Sequence, residues 1–167
     1  MTERGGADRL VSHLDAAYNL ARWLMRDEFE AEDMVQEAYI RAIRHHGGFR
    51  GGDEKAWLLA IVRNQCYDRL RQKGALLRTE EFDEIHHSAQ QQSPTPESAL
   101  LIAERSQILR RALEELPAEY REVLVLRELE QLSYRDIAQI AGIPIGTVMS
   151  RINRARQRLQ QSLAGYL

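Results

Sequence analysis

The stretch Leu132 to Leu163, LSYRDIAQIAGIPIGTVMSRINRARQRLQQSL, constrains the fold more than any other part of the chain. Ser133 is placed to cap a short helix through Ile140, with Tyr134, Ile137, Ala138 and Ala141 on its inner side. Gly142 and Pro144 then stop that helix and turn the chain. A second helix is expected from about Ile145, because Val148, Ile152, Ala155, Leu159 and Leu163 fall on one apolar stripe at helical spacing. The opposite surface carries Thr147, Ser150, Arg151, Arg154 and Arg158, and from Ile145 to the C-terminus there are four arginines and no acid. Two helices joined by so tight a turn, the second basic on its outer side, form a helix-turn-helix. Hydroxyls in the first turn and an early arginine suit base edges in a major groove, and the later arginines suit phosphates.

The rest of the chain does not share this bias. With 23 Lys plus Arg against 25 Asp plus Glu, a net charge of −2, the whole molecule is not strongly drawn to nucleic acid, so any DNA contact is local. One cysteine, Cys66, leaves no internal disulfide and no CxxC motif; among Ile61, Val62, Tyr67 and Leu70 it reads as a buried thiol. Neither a signal-peptide pattern nor an apolar run long enough to span a bilayer is present, so a cytoplasmic protein without membrane insertion is expected.

Periodicity fades from Ala75 through Glu97. An acidic patch (Glu80, Glu81, Asp83, Glu84), the His86-His87 pair, three glutamines and Ser93-Pro94-Thr95-Pro96 cannot bury enough apolar surface to order themselves. Residues 75–97 therefore read as a flexible linker, which could span about 75 Å when extended. It divides the chain into modules 1–74 and 98–167, which need not sit together.

Three helices are expected in the first module. One, from about Asp8 to Met25, turns Leu10, Leu14, Ala17, Tyr18 and Ala21 inward; a second, from about Glu30 to His45, turns in Ala31, Met34, Val35, Ala38, Ala42 and Ile43. That leaves Asp33, Gln36, Glu37, Ile40 and Arg41 outside, a polar surface with an apolar residue in it, open on pattern alone to two readings: a solvated helix side, the commoner case, or a docking face. The third, from about Asp53 to Lys73 with Gly74 to end it, packs Trp57, Leu58, Ile61, Val62, Cys66 and Leu70 and exposes Arg63, Asn64, Arg69, Arg71 and Lys73. Beside this basic surface lies the glycine-rich loop that holds Phe49 and Arg50. In the second module, a helix through Leu116 carries Leu101, Ile102, Ile108, Leu109, Ala112 and Leu113. Pro117 opens another, packed by Tyr120, Val123, Leu124 and Leu126, and the helix-turn-helix makes four. With no strand-period segment, the fold class is all-α: three helices, a linker, four helices.

The order of these pieces resembles the small two-domain bacterial sigma factors of the extracytoplasmic-function group. Glu32-Asp33-Met34-Val35-Gln36-Glu37-Ala38-Tyr39-Ile40-Arg41-Ala42 is similar to the helix by which that family grips core RNA polymerase. Ala56 to Asn64 followed by Asp68-Arg69-Leu70-Arg71 is similar to its helix for the downstream promoter element, and Leu116 to Leu124 with Leu132-Ser133-Tyr134 and Gly142 to Arg151 to its reader of the upstream element. The resemblance implies sigma region 2 over 1–74 and sigma region 4 over 98–167. It also implies core polymerase, promoter DNA and an anti-sigma factor as partners. On this reading Asp33, Gln36, Glu37 and Ile40 hold the polymerase; Phe49, Arg50, Arg63, Asn64 and Arg71 meet the downstream element; and Thr147, Ser150, Arg151, Arg154 and Arg158 meet the upstream one. Met149 stands where family members often carry a lysine, so the upstream sequence preference is expected to differ. From its short N-terminus, the chain is expected to lack the autoinhibitory segment of larger sigma factors.

Binding and strand opening, without bond cleavage, is the chemistry such a chain would perform, and no catalytic residue, cofactor or metal is expected. A conventional helix-turn-helix regulator would need a ligand or receiver domain, for which the first 74 residues show no strand pattern. A metal-dependent hydrolase is disfavoured because His45-His46 and His86-His87 are adjacent pairs, whose side chains on a helix diverge by about 100°.

Overall fold

The structure of the protein, a computed structural model, describes residues 2–49, 51–77 and 97–166. Arg50 and the stretch 78–96, which is most of the expected linker, lie outside the described residues. The described elements are helical: α1 (Thr2–Val11), α2 (Leu14–Met25), α3 (Glu28–Arg44), α4 (Glu54–Leu77), α5 (Glu97–Glu115), α6 (Ala118–Leu124), α7 (Tyr134–Ala141) and α8 (Ile145–Ala164). A 3-10 turn follows α3 at His46–Gly48, and α6 runs on into a π-helical turn at Val125–Leu129.

Local chemistry accounts for most of these boundaries. Asp27 caps α3 by accepting from Glu30 N–H at 3.0 Å, and Asp53 caps α4 through Lys55 N–H at 2.9 Å. Helix α7 opens as its sequence predicts, with Ser133 Oγ accepting from Asp136 N–H at 3.1 Å. It closes on Gly142 at φ +66°, a left-handed conformation that glycine adopts without a Cβ penalty. Val148, Ile152 and Ala155 are buried and Leu159 packs against the same core, so α8 turns its predicted stripe inward.

Three boundaries differ from expectation: the first helix, read from about Asp8, already begins at Thr2. The helix read from Asp8 to Met25 is divided at Ser12-His13. The Ser12 hydroxyl donates to the Arg9 carbonyl at 2.6 Å, the acceptor that a continuous helix would offer to His13, and His13 N–H turns to Leu10 O instead. At the other end of the module, α4 continues through Gly74 to Leu77. Gly74 does not take positive φ, and a helical glycine costs only about 1 kcal/mol relative to alanine, too little to stop a long helix.

The two modules are not separate bodies. Helices α2, α3 and α4 pack together, α6 and α7 pack on α8, and the groups meet where α4 lies on α7 and α2 on α6. One continuous core results, from Leu20, Leu24, Leu58 and Val62 to Val123, Leu126, Ile137 and Ile152. Residues Arg121 through Leu126 of α6 and its π-turn are all buried, because α6 is enclosed by α8 on one side and α2 on the other. The reach of the linker permitted separation; the apolar faces of α6 and α7 are covered by α2 and α4 instead.

Helix α5 is less covered than its sequence suggests. Leu101, Ile102 and Leu109, expected as packing residues, are 56%, 65% and 43% exposed, since among the described elements α5 meets little beyond α8.

Candidate nucleic-acid interface

Helix α8 begins without a side-chain cap, so its first backbone N–H groups remain open at the surface. Ser150, Arg154 and Arg158 are exposed on its outer side, with Thr147 and Arg151 half-buried at the margin. Ser150 Oγ donates back to Gly146 O at 3.0 Å, which turns its free lone pairs outward as acceptors. The Arg158 guanidinium lies over the Tyr120 ring at 4.8 Å and so belongs partly to the packing of α8 on α6. Arg156, not assigned a role from sequence, pairs with Glu128 at 2.6 Å, and Met149 is exposed. The start of the helix-turn-helix is fixed from the π-turn: Arg127 donates to Leu132 O at 2.8 Å and covers the Tyr134 ring at 4.7 Å.

The expected downstream surface is arranged differently. Arg63, read as exposed, is largely buried. Its Nε–H donates to the Glu122 carboxylate of α6, and its guanidinium sits 4.2 Å from the centre of the Tyr67 ring. Tyr67 O–H donates to the second Glu122 oxygen at 2.9 Å. Asn64 and Arg71 remain exposed, Arg71 paired with Asp68 one turn away and Asn64 accepting from Arg63 at 3.4 Å. Lys73, also read as exposed, is half-buried and pairs with Glu30 of α3. Phe49 is half-buried, 5.4 Å from the Trp57 ring and 5.9 Å from that of His46. The three rings form a cluster on which α1 rests, with Gly6 so close that a Cβ would meet the His46 ring at 2.8 Å.

Sequence reasoning missed Glu122 and its neighbour Arg121. Glu122 has no exposed surface. Burial raises its pKa most, while Arg63, Tyr67 and the Arg151 charge on α8 act in the opposite sense. Among the described residues Arg121 pairs with no carboxylate. It donates to Glu114 O at 3.1 Å, Leu116 O at 2.7 Å and Leu24 O at 3.3 Å, so one guanidinium satisfies the last carbonyls of α5 and the end of α2. Burial, with the Arg26 charge nearby, brings its pKa down to about 10, still high enough to hold a full charge at neutral pH. Adjacent charged residues gave no sign of this from their own spacing.

The α3 surface is as read: Asp33, Gln36, Glu37 and Ile40 are all exposed, with Glu37 accepting from Gln65 of α4. It is also more apolar than read. Phe29, in the first turn, is 79% exposed, and Ile43, expected inside, is exposed on the last. Among the described residues no group of three or more His, Cys, Asp or Glu is arranged to hold a metal ion, and no described helix is long and apolar enough to cross a membrane.

Residues 10–76 match the family Sigma-70 region 2, and residues 106–159 match Sigma-70, region 4. Over 158 residues the chain is 37% identical to the ECF RNA polymerase sigma factor SigE of Mycolicibacterium smegmatis, covering 94% of this chain and 61% of that longer protein. It is 32% identical over 164 residues to the ECF RNA polymerase sigma factor SigW of Bacillus subtilis, with 94% of this chain and 88% of that one covered. Among solved structures, the sigma factor RpoE of Bartonella quintana, in complex with the anti-sigma factor NepR, aligns at a TM-score of 0.75 with 34% identity, covering 94% of this chain and 95% of that one.

Proposed function

The chain belongs to the ECF group of sigma-70 factors, and from that premise we propose that it joins core RNA polymerase in the cytoplasm and directs it to the promoters of a specialised regulon. The observation that carries this reading is α8: an outer face with arginines and no acid, held by the Ser133 cap and Gly142 turn inside the region 4 match. In this role Ser150 and Arg151 read base edges of the upstream element, and Arg154 meets phosphate. The α3 face of Asp33, Gln36, Glu37 and Ile40 holds the polymerase. Arg63, Asn64, Arg71 and the loop at Phe49 meet the downstream element as its strands part, a step of binding and unstacking in which no covalent bond is broken.

An anti-sigma factor is the natural regulator on this reading, supported by the complex in which the Bartonella relative was solved. In vitro transcription of a genomic library by core polymerase, with and without the chain, tests the proposal and reveals the promoter together. New transcripts that depend on the chain support it. Unchanged transcripts, with no association between chain and core in gel filtration, refute it.

A further inference from the structure

The loop between α3 and α4 holds a polar ring inside its aromatic cluster. His46 opens the 3-10 turn His46–Gly48, and its carbonyl accepts from Phe49 N–H at 3.0 Å, so backbone and ring both tie it to Phe49. On one side the imidazole faces Phe49 and, edge-on at 82°, Trp57 of α4. On the other stands α1, where Gly6 is buried and a Cβ would meet three ring atoms of His46 at 2.8, 3.0 and 3.1 Å. Helix α1 is fixed by other contacts: Leu10 has no exposed surface, Tyr39 O–H of α3 donates to Ala7 O at 3.5 Å, and Arg9 pairs with Glu54 of α4 at 3.4 Å. His46 Nε2 is buried with no hydrogen-bond partner among the described residues, a cost that an apolar side chain at the same place would not carry. Gly47 and Gly48 have open space among the described residues where side chains would stand, so the turn gives Phe49 no support of its own.

We propose that His46 is a positioning residue for the downstream element: wedged between Gly6 of α1 and the Phe49–Trp57 pair, it sets where the Phe49 ring stands and so which unstacked base the loop accepts. The proposal rests on the reading of the Phe49 loop as part of the downstream surface. Phe49 is half-buried, held by the rings of Trp57 and His46 and otherwise open to solvent. Of its two supports, Trp57 is anchored on α4 between the buried Ala56 and Leu58, whereas the His46 ring lies where its neighbours put it. A Cβ added at Gly6 pushes that ring toward Phe49, because ordinary contact begins at 3.4 Å and α1 is pinned to α3 and α4. Misplacing one base–aromatic contact costs about tenfold in binding. Helix α1 thereby tunes promoter choice through His46 without touching DNA.

The test uses the full chain in holoenzyme, on a promoter found by library transcription and on copies altered in the downstream or the upstream element alone. Gly6→Ala pushes the ring, His46→Ala removes it, and Arg9→Glu sets a carboxylate against Glu54 to loosen α1. Expected in each is a fall of about tenfold in preference for the matched over the altered downstream element, with preference at the upstream element and affinity for core unchanged. On a His46→Ala background Gly6→Ala should add nothing, since the ring it displaces is gone. Emission from Trp57 alone, in a Trp23→Phe chain, should shift in Gly6→Ala and in Arg9→Glu before any polymerase is added. Circular dichroism shows which variants remain folded, and His46→Ala and Arg9→Glu supply the comparison if Gly6→Ala does not. Unchanged downstream preference in the folded variants overturns the proposal, as does an equal loss on every promoter, which marks a merely structural contact. A Gly6→Ala effect that persists without His46 overturns the relay from α1. An unsubstituted chain that directs no transcription refutes the sigma reading, and the role at the promoter with it, while Trp57 emission still decides whether α1 sets the ring cluster.

Discussion

Arg63 on α4 donates to the Glu122 carboxylate on α6, a partner 59 residues away in sequence. The pair closes a buried cluster with Tyr67 and stands at the junction of the two modules, whereas Arg71, two turns further along α4, only pairs with Asp68 at the surface. Two arginines of similar sequence context are therefore predicted to differ in stability effect. Arg63→Ala leaves a buried carboxylate without its cation and should cost about 3 kcal/mol in urea denaturation. Arg71→Ala should stay within about 0.5 kcal/mol. Equal, small effects would show that the Arg63 pair is not sequestered from water.

Alkaline stability follows from the same cluster. Burial, reinforced by the Glu122 charge, pushes the Cys66 thiol from 9.0 up to about 12, and the same two causes raise the Tyr67 hydroxyl. Both folded-state values lie above the unfolded ones, so the folded chain binds the extra protons. The Cys66 contribution is intact below about pH 9 and is lost as pH rises toward 12, with a slope of about 1.4 kcal/mol per pH unit in that window, whereas that of Tyr67 begins to fall only above its ordinary value of 10.0. Denaturation midpoints measured from pH 7 to 11 should hold level and then fall, and the fall should be shallower in Cys66→Ala and in Tyr67→Phe. Identical profiles for all three chains would contradict this assignment.

Phe29 provides a test of the α3 surface that leaves the charged residues untouched. At 79% exposure it adds little to folding, so Phe29→Ala should leave the melting temperature within about 2 °C. An aromatic anchor at a polymerase-facing surface is worth about 1–2 kcal/mol on truncation, so the same change should weaken core binding roughly tenfold. Surface plasmon resonance against immobilised core reads this directly. Full affinity in Phe29→Ala would confine the docking face to Asp33, Gln36, Glu37 and Ile40.

On the recognition helix, three arginines are expected to act differently. Arg151→Ala should lose about 1–3 kcal/mol on the matched upstream element and little on a scrambled one. Arg154→Ala should weaken both alike and lower the slope of affinity against salt by about one unit. Arg158→Ala, removing the cation over Tyr120, should loosen the packing of α8 on α6 as well as any phosphate contact, which appears as a lower melting temperature. Titrations of holoenzyme on matched and scrambled promoters at several salt concentrations separate the three.

What local sequence determines is visible at α7 and α8. A serine cap, a glycine at positive φ, a proline at the turn and a stripe at helical spacing each act within a few residues, and each is found where the spacing places it. The outward positions of α3 at Asp33, Gln36, Glu37 and Ile40 follow likewise from alternation within one helix, whereas Ile43, read inward on that alternation, is exposed. The division of the first helix is subtler but still local: it depends on whether the Ser12 hydroxyl or the His13 N–H takes the Arg9 carbonyl, a competition that apolar periodicity does not register.

The places of Arg121, Glu122 and Arg63 depend on packing between distant segments. A charged side chain is buried when groups elsewhere satisfy it, here the Leu24 carbonyl 97 residues before Arg121 and the Arg63 and Tyr67 donors on another helix. The same holds in reverse for Leu101 and Ile102, apolar residues that stay exposed because no element among the described residues covers their side of α5. Which helices form, where most turns fall and which faces are apolar follow from backbone hydrogen bonding and side-chain spacing within each segment, and so can be read from the residues alone. Which faces meet, and so which arginine remains open to solvent and which is held by a glutamate, was settled by packing between segments far apart in the chain, where desolvation makes a charge's place depend on its distant partner.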